Sequence, residues 1–129
     1  MHMSAKGFTV AVVGASGYAG AEVVRLLAQH PELTMGDLAA HRQAGLQVGQ
    51  AMPPLAGVAG ERTLSEIDVN RLASHDAVVL ALPHGASGRI ASELSEVNPD
   101  VVIVDAGADF RLSSSSDWQR WYGGVHTWT

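Results

Sequence analysis

Residues Gly14-Ala15-Ser16-Gly17-Tyr18-Ala19-Gly20 space three glycines as G-x-x-G-x-x-G between an apolar run and a helical pattern. Glycines in that setting meet three needs: a sharp turn out of a strand, close approach of a phosphate to the backbone, and close packing of the helix on the sheet. The helix N-terminus then offers free N–H groups and partial positive charge to a diphosphate. Ser16 adds a hydroxyl donor, and Tyr18 adds a ring that could cover the phosphate. The competing reading is a tight turn that binds nothing; the placement after an apolar strand and before an amphipathic helix favours the ligand. A P-loop is excluded, because no Lys-Ser/Thr follows the last glycine.

Dinucleotide sites that take NAD place an acidic residue about 20 positions on, at the end of the second strand, to bind the ribose 2′-hydroxyl. Asp37 lies near that distance but falls inside the second apolar segment, and the segment ends Ala39-Ala40-His41-Arg42. Arg42, helped by His41, suits a 2′-phosphate, which points to NADP. The alternative for Arg42 is a solvated surface charge.

The elements that must hold these residues alternate between strand and helix. Phe8 to Val13 is a short β-branched run ending at Gly14, as in a buried parallel strand. In the helix that follows, Val23, Leu26 and Leu27 share one face, and His30-Pro31 ends it. Leu33 to Ala40 reads as a second strand, although Gly36 and Asp37 are poor strand formers. His41 to Arg62 reads as a long connection with a short helix. Thr63-Leu64-Ser65-Glu66 has capping-box spacing and predicts a helix through about Ala73. Ala77 to Leu82 and Val101 to Asp105 are further strands, flanking a helix over Gly85 to Val97 with Ile90 and Leu94 toward the sheet. Ser113 to Ser116 read as a turn and helix cap, and a short aromatic helix is expected around Trp118, Trp121 and Tyr122. The expected fold is α/β, a Rossmann-like doubly wound parallel sheet, with residues 1–129 forming one dinucleotide-binding domain.

Composition narrows the functional classes. The chain has 129 residues, 47% hydrophobic and 16% charged, enough for a buried core and unlike a disordered segment. A formal net charge of −5 argues against nucleic acid as the partner, since phosphate neutralisation needs clustered Lys and Arg. No apolar run approaches the ~20 residues of a membrane span, and the start lacks a signal-peptide stretch. A cytoplasmic location is expected. With no cysteine, the polypeptide has neither a thiol nucleophile nor a thiolate metal site, and no metal is expected. Trp118, Trp121, Tyr122 and Trp128 crowd the last dozen residues, which suggests a chain cut within a larger fold or a surface awaiting a partner.

Four segments in order carry a resemblance: the glycine loop, Leu82-Pro83-His84-Gly85, Asp105-Ala106-Gly107-Ala108-Asp109-Phe110-Arg111-Leu112, and Trp121-Tyr122-Gly123 with His126. The series resembles the N-terminal part of the N-acetyl-γ-glutamyl-phosphate reductases, the arginine-biosynthesis branch of the semialdehyde dehydrogenase superfamily. The resemblance implies NADPH-dependent reduction of an acyl phosphate to an aldehyde with release of phosphate, by way of a cysteine thioester. It also implies a homo-oligomeric full-length protein. The family's cysteine, base histidine and substrate domain lie beyond Thr129, so this chain alone is expected to bind cofactor and to be inactive.

Individual positions carry over from the family. Gly14, Ala15, Ser16, Gly17, Tyr18 and Ala19 match its phosphate loop, and Arg42 its 2′-phosphate region. Pro83, His84 and Ser87 match a loop beyond a strand's carboxyl end, where open α/β sheets place ligands. His84 is expected near the nicotinamide half of the cofactor, or else is a capping or exposed histidine. Asp109 and Arg111 match the loop after the last strand, where Arg111 binds substrate phosphate or pairs with Asp109 or Asp105 to hold the loop. His126 matches a family histidine without an assigned role. The family more often has Ser where Gly107 stands. Two other readings compete: a related dehydrogenase such as aspartate-semialdehyde dehydrogenase, which should lack Ala-Asp-Phe-Arg-Leu, and a stand-alone nucleotide-sensing module.

Overall fold

The computed structural model describes residues 7–82 and 86–106. Four parallel strands form one sheet in the order β2-β1-β3-β4, where β1 is Phe8–Val13, β2 Leu33–Ala39, β3 Ala77–Leu80 and β4 Val102–Asp105. Strand β1 is central, and Ala11, Val12 and Val13 are completely buried. That explains its apolar run from Val10 to Val13: neither face of this stretch meets water.

Alternate β1 residues enter two separate cores. Val10 and Val12 pack with Val24 and Leu27 of helix α1 (Tyr18–Gln29) and with the β2–β3 connection. Ala11 and Val13 pack on the other face with Leu72 of α4 (Val69–Leu72) and with Ile90, Ala91 and Leu94 of α5 (Ser87–Val97). Helices therefore cover both faces, the doubly wound arrangement that the strand–helix alternation predicts. Ile90 and Leu94 face the sheet as their spacing requires.

Two local expectations are corrected. Gly20, Val24 and Leu27 are the buried residues of α1, whereas Leu26 is half-exposed. Leu26 borders an apolar groove of about 350 Å³ that also takes in Phe8, Val79, Val102 and Val104, along a stretch of sheet beside α1.

The segment from Thr63 is extended, not helical. Thr63 bridges Gln47, and Ser65 bridges Ala39 in parallel. The Ser65 amide donates to Leu38 O at 2.8 Å and the Leu64 amide to Leu46 O at 2.8 Å. Tertiary backbone partners thus outcompete the local capping pattern. The helix begins only at Val69, where Asp68 accepts from the Arg71 amide. A reciprocal capping box does form, but between Gln47 and Gln50 at the start of α2 (Val48–Ala51). The long connection continues through a 3-10 turn at Pro53–Leu55 and α3 (Ala56–Ala59).

Strand β2 contains an irregularity where the sequence looked least strand-like. Val10 pairs with Met35 and Val12 with Leu38, so three steps on β2 oppose two on β1 around Gly36 and Asp37. A Cβ on Gly36 would lie 2.7 Å from the His75 ring, so glycine makes room for that side chain. Among the described residues no helix is long and apolar enough to cross a membrane.

Candidate nucleotide-binding site

The three loop glycines differ in what the protein itself demands of them. Gly14 turns the chain out of β1 with φ +85°, and a Cβ there would lie 2.4 Å from Ala81 O. At Gly20 an added Cβ would meet Gly14 O at 2.0 Å, so only glycine lets α1 pack this closely on the loop. Gly17 is different. Its backbone is extended (φ −83°, ψ 171°), and the only neighbour of an added Cβ is Gly14 O at 3.5 Å. Folding does not require glycine at this position.

Hydrogen bonding divides the loop amides into used and available. Gly14 and Ala15 both donate to Ala39 O, at 2.8 and 3.1 Å, which ties the loop to the end of β2. Gly17 donates to Gly14 O at 3.1 Å, and Ala21 to Gly17 O at 2.8 Å opens the helix. The amides of Ser16, Tyr18 and Ala19 have no acceptor among the described residues. They lie on half-buried or exposed residues at a helix start whose first turn has no acidic side chain. Such a group of unpaired donors at the positive end of a helix attracts an anion.

A cavity of about 690 Å³ opens beside this turn. Gly14, Ser16 and Gly17 form one wall, and Ala81 and Leu82 beyond β3 form another. The chain reverses direction across the sheet between β1 and β3, so the cavity occupies the crevice at a topological switch point. His41, Arg42 and Gln43 line the end beyond β2. Ile67, Ala86, Arg89 and Ile90 complete the lining. None of these described lining residues is acidic.

Gly14, Ser16, Gly17, His41 and Arg42, all singled out from sequence, therefore meet around one cavity. The other expected positions behave differently. The Ala15 side chain is buried and its amide is already bonded, so it supports the turn and leaves no donor for a ligand. Tyr18 is 95% exposed and Ala19 is exposed; neither side chain lines the cavity. Ser87 is fully buried in the first turn of α5, its Oγ has no partner among the described residues, and it is not in the cavity lining. Its place on the inner side of the helix, beside buried Gly88 and Ile90, is the reason. Pro83, His84, Asp109, Arg111 and His126, with the aromatic tail, lie outside the described residues.

Sequence reasoning missed Ile67, Leu82 and Arg89. The sequence pattern puts Ile67 inside a helix, whereas it precedes α4, and puts Leu82 at the end of a strand, whereas β3 stops at Leu80. Arg89 carried one signal: it is a cation in the first turn of a helix, where the dipole disfavours positive charge.

Asp37 is turned to a different task. Its Oδ2 accepts from Arg71 Nε at 3.0 Å and from His75 Nε2 at 2.7 Å. The same ring nitrogen lies 3.4 Å from the Asp37 amide, but it cannot donate and accept at once, and the shorter contact assigns it the proton. Burial opposes the negative charge on Asp37, yet the hydrogen bonds from Arg71 and His75 and the charge of Arg71 outweigh it and lower the pKa. Asp37 thus joins β2 to α4 and does not line the cavity.

Comparison with known proteins agrees with this geometry. Over 121 residues the chain is 52% identical to N-acetyl-gamma-glutamyl-phosphate reductase of Micrococcus luteus, covering 94% of this chain and 35% of that protein. The reductase of the same name from Paenarthrobacter aurescens is 51% identical over 121 residues, with 94% and 34% covered. The chain thus spans about a third of the length of these relatives. The crystal structure of aspartate semialdehyde dehydrogenase with NADP from Candida albicans shares the fold at a TM-score of 0.71 and 22% identity, over 84% of this chain and 32% of that one. Residues 9–128 match the family described as semialdehyde dehydrogenase, NAD binding domain, and the chain belongs to that family.

Proposed function

We propose that the cavity binds NADP(H), with the diphosphate on the amides of Ser16, Tyr18 and Ala19 and the 2′-phosphate at Arg42 and His41. The observation that carries this reading is Gly17. The fold tolerates a side chain there, since an added Cβ meets only Gly14 O at 3.5 Å. Glycine at a tolerant position beside unpaired amides and a cavity is explained by a ligand that must approach the backbone.

The fit extends to the rest of the cavity. Arg42 supplies charge, Ile67, Leu82 and Ile90 supply apolar walls for a base, and the cavity has the size of a cofactor site. Bound NADPH would supply hydride. The chain's own residues hold and orient it, with Pro83 and His84, beyond β3, and Ser87, at the start of α5, assigned to the cofactor by family resemblance. Asp109 and Arg111 are assigned in the same way to the substrate side.

In the full-length protein this domain serves the NADPH-dependent reduction of N-acetyl-γ-glutamyl phosphate to the semialdehyde, with release of phosphate. The relatives bearing that name support the assignment. A cytoplasmic location and self-association of the full-length protein belong to the same proposal. The 129-residue chain contains no cysteine, so it binds cofactor without carrying out the thioester step.

The test is calorimetric titration of NADPH into the wild-type chain and Gly17→Val, with circular dichroism on both. A folded Gly17→Val that no longer binds is the expected result. Unchanged affinity in the folded variant would place the ligand elsewhere.

A further inference from the structure

The geometry points to Arg89 as a second specificity-determining cation that, together with Arg42, holds the cofactor's 2′-phosphate. The inference rests on the proposed NADP reading and extends it to a residue that no motif assigns.

Arg42 follows the end of β2, and Arg89 lies in the first turn of α5, yet both line the same cavity. Ile67 and Ile90 line it as well and provide apolar surface for an adenine. A phosphate on the adenosine ribose would therefore have a guanidinium available from each of two elements.

Three observations argue that Arg89 is there for an anion and not for the helix. A cation in the first turn opposes the helix dipole, so helix stability alone would favour an acid at this position. Glu93, one turn further on, is the obvious local partner, but no ion pair joins the two. No described lining residue is acidic, although the whole chain carries a net charge of −5. The acid on β2 that could have cancelled the field, Asp37, is bound to Arg71 and His75. Two guanidinium groups that have no partner among the described residues, in a cavity whose described lining holds no acid, match a phosphate dianion, which can accept from both.

Arg89 is exposed, so its substitution leaves the fold intact, as circular dichroism will check. Calorimetry with NADPH, NADH, adenosine 2′,5′-bisphosphate and 5′-AMP should be run on wild type, Arg42→Ala, Arg89→Ala and Arg89→Lys. Arg89→Ala is expected to weaken NADPH and the bisphosphate by roughly tenfold while leaving NADH and 5′-AMP within about twofold; Arg89→Lys should recover part of the loss. An equal loss for all four ligands would overturn the inference, because Arg89 would then serve a part common to them. Unchanged NADPH affinity in Arg89→Ala, with Arg42→Ala still reducing the preference, would overturn the role of Arg89 alone. If wild type shows no preference for the 2′-phosphorylated ligands, the NADP reading fails and this inference fails with it.

Discussion

Asp37 accepts a 2.7 Å hydrogen bond from His75 Nε2, across 38 residues of sequence, and this contact occupies the one acidic side chain of β2. The strand that would carry the ribose-binding acid of an NAD site uses its acid to hold α4. The cavity beside it is lined by Arg42 instead.

Replacing Asp37 with Asn is expected to lower stability by about 1 kcal/mol, a modest figure because Arg71 is 65% exposed and its charge is screened. The folded pKa of Asp37 lies below the usual carboxylate value, so its contribution is present above about pH 3.9 and fades as pH falls through the folded value. Denaturant melts at neutral and acid pH check both points. The wild-type and variant curves should converge in acid, and the NADPH-to-NADH affinity ratio should not change.

Arg42→Ala is expected to reduce the preference for NADPH over NADH by about tenfold, acting on NADPH alone. Titrations with both dinucleotides read this directly. Equal affinities in the wild-type chain would remove the 2′-phosphate argument.

Gly20→Ala should destabilise the fold by on the order of 1–3 kcal/mol or more, since the new Cβ would sit 2.0 Å from Gly14 O. Gly14→Ala should also be costly, combining φ +85° with a 2.4 Å approach to Ala81 O. Gly17→Ala should melt close to wild type. A thermal series that ranks Gly17→Ala with the other two would contradict the division between structural and ligand-facing glycines.

Ser87→Ala is expected to be neutral or stabilising by up to about 1–3 kcal/mol, because it removes a fully buried hydroxyl with no partner among the described residues. Its effect on NADPH binding checks the family-based assignment. Weakened binding without loss of stability would mean that the hydroxyl turns toward the cofactor when it binds.

Legibility in the sequence followed the range over which the forces act. Strand β1 was readable to its ends because a central strand is apolar on both faces, whatever its partners. The need for glycines between Gly14 and Gly20 was readable because a turn and a close approach are local geometry, whereas α1 starts at Tyr18, inside the glycine motif and not after it. The helix expected from Thr63 to Ala73 was not, since its first half found backbone partners at Gln47 and Ala39. Gly36 and Asp37 looked like breaks in a strand, yet they mark a bulge shaped around His75.

The order of residues alone determined the alternating α/β architecture, the glycine-rich turn and the cationic end of β2, because each depends on a few neighbouring residues and their periodicity. Only the tertiary structure decided that Asp37 pairs with α4, that Ser87 is enclosed, and that Arg89 shares a cavity with Arg42. These facts depend on which elements the strand order brings together. Side chains far apart in the chain meet only after the sheet has chosen its neighbours.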